Sequence, residues 1–255
     1  MKIASWNVNS LKVRHGQVLE WLEANRPDVL VLQEIKQVTE AFPTESFTQA
    51  GYESLANGQK TYNGVAVVSR AAPADPVTDL PGFEDPQRRV LAATIDGVRV
   101  VNLYVPNGQS VGSDKYEYKL GWLAALKDYL AAELEAHEHV AVLGDFNIAP
   151  DDRDVYDPEK WGDDILCSPL EREALGRVVE LGLTDTFRRF EQPEKTFSWW
   201  DYRAAGFRRN AGLRIDLILA SAALAEKCTA SYVDREPRTW ERPSDHAPVV
   251  AEFDL

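Results

Sequence analysis

Short apolar blocks recur along this chain, separated by turn-forming residues and by a few longer stretches with helical spacing. Lys2 to Asn7 reads as the first strand, with Ile3 and Trp6 as its bulky apolar positions. Val18, Leu19 and Leu22 then fall at helical spacing and predict a helix over Val13–Asn25. Arg26-Pro27-Asp28 breaks it. Val29–Leu32 is continuously apolar, the mark of a strand buried on both faces, and it ends at Gln33-Glu34. Gly64–Ser69, Val90–Ile95 and Val98–Val105 predict further strands, the last interrupted only by Asn102. Leu120, Leu123, Leu126, Leu130 and Leu134 give the strongest helical signal, over Tyr118–His137. Val140–Leu143 is a short buried strand that stops at Gly144-Asp145. Residues 150–165 are polar and acidic and read as a long surface loop. A helix follows over Pro169–Leu181, then a packed segment from Leu183 to Phe187, then strands at Ile215–Ala220 and Pro248–Phe253. Strands alternating with helices predict α/β layers, and adjacent strands without helices between them predict a mixed sheet. No linker or low-complexity stretch divides the chain, so residues 1–255 are expected to form a single domain.

Composition narrows the setting. Hydrophobic residues are 44% and charged residues 27%, so a large core can form without disulfide staples. Cys167 and Cys228 are too few for a disulfide framework and fit a reducing compartment. The first residues, MKIASWNVNS, lack the apolar centre of a signal peptide, and no apolar run is long enough to span a bilayer. The expected location is the cytoplasm of a bacterium, and the expected state a monomer without membrane contact. The net charge of −13 predicts weak non-specific association with any polyanion and a small basic footprint at most.

The polar residues that close the apolar blocks carry the chemistry. Ser244-Asp245-His246-Ala247-Pro248 sets a carboxylate beside one of four histidines. Gly144-Asp145-Phe146-Asn147 points Asp145 and Asn147 the same way on an extended backbone, although these residue types also favour ordinary turns. Glu34 and Asn7 follow apolar strands directly. Either is a plain solvated strand end when taken alone, but oxygen donors of this kind suit a magnesium ion. Asp216 lies within Arg214-Ile215-Asp216-Leu217-Ile218-Leu219, where a charge is costly without a partner. His246 is the natural one, with a purely structural Asp–His or Asp–Arg pair as the alternative. Tyr104 is a poor base but a good hydrogen-bond donor, and Asn107 stands near it. His15, His137 and His139 read as surface residues. Residues 197–210 mix rings with Arg203, Arg208 and Arg209, a form suited to stacking on bases and gripping phosphates. One of Trp199 and Trp200 is expected in the core. Arg88-Arg89 can grip the same backbone, whereas Gly58–Lys60 and Lys115 are weaker positive positions. Distant strand ends carrying acids, amides and a histidine together suggest one pocket for metal-assisted attack on a phosphate ester.

These motifs, in this order, resemble the exonuclease III-type apurinic/apyrimidinic endonucleases of the endonuclease/exonuclease/phosphatase superfamily. The resemblance runs end to end: SWNVNSL at 5–11, PDVLVLQEIK at 27–36, QRRV at 87–90, NLYVPNG at 102–108, GDFNIAP at 144–150, DTF at 185–187, FSWWDYR at 197–203, GLRIDLILAS at 212–221 and PSDHAPV at 243–249. It implies a four-layered α/β sandwich of two packed mixed β-sheets. It implies Glu34 as the main ligand of Mg²⁺, with Mn²⁺ as the alternative ion, and Asn7 and Asp245 near the metal. Asp145 would activate the attacking water. Asn147, Tyr104, Asn107 and His246 would hold the scissile phosphate, with Asp216 orienting His246. Trp199 would sit against the sugar of a lesion, and Arg88, Arg89, Arg208 and Asn210 would contact the nucleic acid. The implied partner is double-stranded DNA with abasic sites or 3′ ends, cleaved 5′ to the abasic sugar and trimmed at its 3′ termini. Ile35 stands where many relatives have Thr, which changes the surroundings of Glu34; Asn9 stands where animal relatives often have Asp and bacterial ones Asn, which leaves one or two metal ions open. Two rivals remain at this point: a phosphoesterase of the same fold acting on an inositol phosphate, a lipid headgroup or RNA, and a DNA-binding relative without catalysis.

Overall fold

The computed structural model describes residues 1–255. In chain order the elements are β1 (Lys2–Asn7), α1 (Leu11–Asn25), β2 (Val29–Gln33), α2 (Thr44–Gln49), β3 (Glu53–Asn57), β4 (Val65–Ser69), β5 (Ala74–Thr78), β6 (Val90–Ile95) and β7 (Val98–Tyr104). There follow α3 (Asp114–Ala136), β8 (Val140–Asp145), α4 (Pro158–Trp161), α5 (Pro169–Val179), β9 (Leu183–Asp185), β10 (Trp199–Trp200) and β11 (Gly212–Leu213). The chain closes with β12 (Asp216–Ser221), α6 (Ala222–Glu226), β13 (Cys228–Val233) and β14 (Val249–Phe253).

Two six-stranded mixed sheets result, ordered β13-β14-β1-β2-β4-β3 and β5-β6-β7-β8-β12-β9. In each, one central pair is parallel, β1 with β2 and β7 with β8, and the other pairs are antiparallel. Alternation along the strands sorts the side chains into layers. Ile3, Val29, Val31, Val65 and Val67 of the first sheet meet Leu91, Val100, Leu143 and Ile218 of the second in a central core. Trp6, Leu30 and Leu32 point outward onto Val18, Trp21 and Leu22 of α1 and Phe47 of α2. Val101, Val140 and Val142 point the other way onto Trp122, Leu126 and Leu130 of α3 and Leu175 of α5. The four-layered α/β sandwich expected from the resemblance is the architecture observed.

Besides the two-residue β10 and β11 and the short β9, read only as a packed segment, the strands that the apolar pattern did not mark are β3, β5 and β13. All three lie at sheet edges. An edge strand has one hydrogen-bonding neighbour and an exposed flank, so it needs fewer apolar residues. β5 even carries Pro76 and is almost wholly exposed. α1 and α3 also start earlier than their leucine spacing indicates, α3 by a turn, because Ser113 caps it by accepting from the Tyr116 amide. The acidic 150–165 stretch holds a one-turn Asp152–Asp154 helix, capped by Asp151, and the short α4.

Between the sheets, Asn102 is fully buried. Its amide donates to the carbonyls of Leu32 at 3.0 Å and Ala66 at 2.8 Å and accepts from Gln33 at 2.8 Å, while Gln33 also donates to Ser5 Oγ at 3.0 Å. This polar bridge pins one sheet to the other beneath the strand ends where the functional side chains emerge. Gly144 allows the same close approach within one sheet: a Cβ there would lie 1.9 Å from the Leu103 carbonyl oxygen.

Candidate active site

Strand direction gathers the polar residues on one rim. β1 and β2 run in parallel and deliver Asn7 and Glu34 at their C-terminal ends. β7 and β8 do the same for Tyr104 and Asp145, which are direct cross-strand partners. β12 runs the opposite way and contributes its first residue, Asp216, opposite Asp145. β14 is also reversed, so His246 is presented just before the strand begins.

Ligand atoms of Glu34, Asp145 and His246 lie within 4.8 Å of one another. The Asn7 amide donates to Glu34 Oε1 and Asp145 Oδ2, both at 2.9 Å. Asp145 Oδ1 accepts from the Asn147 backbone amide at 2.9 Å. His246 Nδ1 lies 2.9 Å from Asp216 Oδ2, and its Nε2 lies 3.7 Å from Asp145 Oδ2. Asp216 is itself fixed through its backbone, since Ser198 Oγ accepts from the Ile215 and Asp216 amides at 3.0 Å. Ser244 Oγ donates to the Asn7 carbonyl at 2.6 Å and ties the histidine loop to β1. Glu34, Lys36 and Asn147 have φ of 52°, 54° and 48°, in the left-handed region. Non-glycine residues adopt it rarely, and such outliers cluster at working sites.

The titrations follow from burial and from this crowding. Burial opposes charge on His246, but Asp216 and Asp145 outweigh it and raise the imidazole to about 10. Burial pushes the Asp145 carboxyl up to about 7, with Asp216 adding to the rise and His246 opposing it. Burial, then the charges of Glu34 and Asp145, hold the Tyr104 phenol well above its ordinary value, so it stays a donor.

The donor set suits a hard divalent cation. With Nδ1 turned to Asp216, His246 offers only Nε2 toward the cluster, so carboxylate and amide oxygens make up most of the donor set. A cation is already drawn to the spot: the Lys36 ammonium lies 3.0 Å from Glu34 Oε2.

The remaining residues divide by what they touch. Asp245 is near but apart from the three-residue cluster. Its two carboxylate oxygens accept from Asn9 Nδ2 and Trp199 Nε1, each at 3.0 Å. Asn147 is buried and donates to the Val105 carbonyl at 2.9 Å, while exposed Asn107 donates to Asn147 Oδ1 at 3.3 Å. Trp200 is the core member of the tryptophan pair and Trp199 is half-buried beside Asp245. Asn210 accepts from Trp200 Nε1 at 3.1 Å and so braces the 197–210 segment. Arg208 is exposed. Arg88 pairs with Asp79. Arg89 is buried, bonded to Gln87 and the Tyr104 carbonyl, with its guanidinium 4.7 Å from the Tyr104 ring. His15 is not a free surface residue: it bonds Ser46 at 2.7 Å and packs edge-on to Phe47.

Four contributors escaped the sequence reading. Lys36, Ser198 and Ser244 are small or polar residues inside motifs whose neighbours drew the attention. Lys119 carried a usable signal, since Tyr116, Lys119, Trp122, Leu123 and Leu126 make one buried stripe of α3 with a cation inside it.

Fold and site together define a phosphoester-cleaving hydrolase. The family model described as "Endonuclease/Exonuclease/phosphatase family" matches residues 4–246, and the chain belongs to that family. Within it the chain sides with the nucleases. It is 38% identical to exodeoxyribonuclease III of Haemophilus influenzae, over 99% of this chain and 100% of that protein. Its fold superposes with a TM-score of 0.98 on the 3′ phosphatase NExo from Neisseria bound to a product DNA hairpin, at 50% identity and full coverage of both chains. An AP endonuclease from Archaeoglobus fulgidus follows at TM-score 0.96 and 39% identity, again with full coverage. The protein is a hydrolytic nuclease of the exodeoxyribonuclease III and AP endonuclease kind.

Proposed function

We propose that the protein is a Mg²⁺-dependent DNA repair phosphodiesterase that incises 5′ to abasic sites and trims blocked or ordinary 3′ ends. The observation that carries this reading is the convergence of Glu34, Asp145 and His246 within 4.8 Å. Both activities break the same P–O3′ bond and leave a 3′-hydroxyl, so one set of residues serves both. Glu34 would hold the ion, with Asn7 beside it, and the ion would supply positive charge for the phosphate oxygens. Asp145 in its ionised form takes a proton from the attacking water. Protonated His246, locked by Asp216, donates to a non-bridging oxygen, as do Tyr104, Asn147 and Asn107. Together these effects must lower a barrier by roughly 20 kcal/mol. Trp199 shapes the wall met by the baseless sugar. A cleft of about 670 Å³, lined by Tyr104, Asn107, Arg89, Gln87 and Lys115, gives the flanking strand room. Arg88, Arg208 and Lys115 supply the small basic footprint on an otherwise acidic protein, which would act as a cytoplasmic monomer.

The likeness to a 3′ phosphatase favours a second weighting, with 3′-end cleaning ahead of abasic incision. One experiment tests both. A defined abasic duplex, a duplex with a 3′-phosphate and an inositol polyphosphate are incubated with Mg²⁺ or with chelator. Metal-dependent release of 3′-hydroxyl ends from the DNA substrates is expected, and the ratio of the two rates sets the weighting. Turnover of the inositol phosphate with both duplexes intact would overturn the reading.

A further inference from the structure

We propose that the buried Lys119–Glu171 pair is a positioning unit for phosphate binding, fixing Asn107 and Asn147 through their backbone carbonyls. This rests on the assignment of those two amides to the scissile phosphate.

Lys119 and Glu171 are both fully buried, on α3 and α5. Lys119 Nζ donates to the Asn147 carbonyl at 2.7 Å, to the Asn107 carbonyl at 3.1 Å and to Glu171 Oε1. An ammonium has three protons, so each has a partner and none is left for substrate. Glu171 is equally engaged. It accepts from the Leu166 amide at 3.1 Å, the Ser168 amide at 3.2 Å and Ser168 Oγ at 2.6 Å, and Ser168 Oγ lies 2.7 Å from Tyr116 OH. Burial pulls the ammonium's pKa down and Glu171 holds it up.

Stability alone does not call for such a pair, since two apolar residues of like volume usually serve a core as well or better. What an apolar pair cannot do is donate to two carbonyls at once. Those carbonyls belong to the two loops that follow β7 and β8. The Asn147 backbone sits at a φ of 48°, and the Asn107 loop passes over Lys119 so closely that a Cβ on Gly108 would lie 3.0 Å from Lys119 Cδ. One buried cation therefore sets the separation and the facing of both amide side chains. The network reaches from the strand ends through α3 to the start of α5, more than twenty residues along the chain from Asn147 in either direction.

The test is a mutant cycle read on the nuclease with an abasic or 3′-phosphate duplex. Lys119→Met keeps the length of the side chain and removes its donors. With folding checked by circular dichroism and melting, kcat is expected to fall roughly 10- to 100-fold, because a displacement near 1 Å suffices for that. KM and the Mg²⁺ concentration for half-activity should stay within about twofold. Added to the Asn107→Ala/Asn147→Ala variant, Lys119→Met should lower kcat by less than about threefold, since it acts through groups already removed. A merely structural lysine would multiply its loss onto that background. Parental kcat in a folded Lys119→Met, or a full multiplied loss in the triple variant, overturns the proposal. If Lys119→Met does not fold, Glu171→Gln carries the same cycle: its one amide oxygen can still accept from Leu166 and Lys119, its NH2 faces Ser168 in place of the second acceptor, and the charge that holds Lys119 is removed. Parental kcat in Asn107→Ala/Asn147→Ala would overturn the phosphate assignment itself, and the positioning role with it, which separates the two failures.

Discussion

Arg214 and Asp216 are two residues apart at the start of β12, yet they enter two buried clusters of opposite character. Arg214 Nε donates to Asp154 at 2.6 Å and its Nη2 to Asp185 at 2.7 Å, and Arg188 joins Asp154 from the far side. Two carboxylates meet two guanidiniums, and Phe187 faces both cations at 4.7 Å and 5.3 Å. The charges cancel locally, although Arg214 Nη1 and Arg188 Nε are buried without a hydrogen-bond partner, and burial does not stop the aspartates from raising the pKa of Arg214. Asp216 enters a cluster that does not balance. Glu34, Asp145, Asp216 and Asp245 crowd one rim, where His246 and Lys36 are the only cationic side chains within 4 Å of them. Burial holds the Asp145 carboxyl up to about 7, with Asp216 adding to the rise against the opposing pull of His246. A cluster that neutralises itself needs nothing from outside. A cluster left with excess negative charge has room for a cation, which is the property a metal-dependent nuclease requires.

The sharpest way to break the comparison is to remove one acid from the unbalanced side. Asp145→Asn takes away the proton acceptor and relieves the crowding. We expect kcat to fall by about 10³- to 10⁴-fold, within the range for loss of a positioned base. DNA binding, measured by fluorescence anisotropy with Ca²⁺ in place of Mg²⁺, should be retained. Glu34→Ala should instead shift the metal requirement upward. An Asp145→Asn variant that cuts abasic DNA at the parental rate would show that the acid is structural.

Much of this contrast was visible in the sequence, but unevenly. Apolar blocks ending in Asn7, Glu34 and Asp145, with the charge of Asp216 set inside another, announced the rim, because a carboxylate or amide beside a buried strand is a local event. For Asp216 the sequence favoured His246 as partner but left an Asp–Arg pair as the alternative. The structure divides them: the arginine goes to Asp154 and Asp185, and the histidine stays. Asp154 was hidden within the acidic 150–165 stretch, where nothing local separates one buried aspartate from its exposed neighbours. Asp245 shows the converse limit. The resemblance implied a place near the ion, but nothing in its motif showed that its two oxygens accept from Asn9 and Trp199, a fact that depends on pairings across most of the chain. Edge strands β3, β5 and β13 went unmarked for a related reason, as their identity lies in neighbours rather than in their own residues.

On the balanced side the expected effect is on stability. Arg214→Met leaves Asp154 and Asp185 facing one another with Arg188 alone to compensate. Breaking a buried pair from one side costs about 3–5 kcal/mol, read as a lower urea midpoint with an unchanged slope. Activity per folded molecule should change far less than in Asp145→Asn, provided assays run well below the melting temperature. If Arg214→Met were as stable as the parent, the two clusters would not differ in the way their charges indicate.

The finest test uses pH, with chelator present so that no ion masks the crowding. His246 binds its proton up to about 10 in the folded state, against about 6.5 when unfolded. Its contribution to stability is thus fully present below the unfolded value and is lost as pH rises through the folded one. Asp145 acts in the same direction at lower pH. Folded, it keeps a proton until about 7 that the unfolded chain gives up near 4, so its contribution is present below the unfolded value and is gone once pH passes the folded one. The urea midpoint of the metal-free protein should therefore fall steadily between pH 7 and about 10. Asp216→Asn removes the largest charge that raises His246 and should flatten that fall. Adding Mg²⁺ should raise the midpoint most where Asp145 is ionised, because the ion favours the carboxylate that burial otherwise keeps protonated. A midpoint that rises with pH across this window would mean that His246 is neutral in the fold and that the rim has no surplus charge to offer an ion.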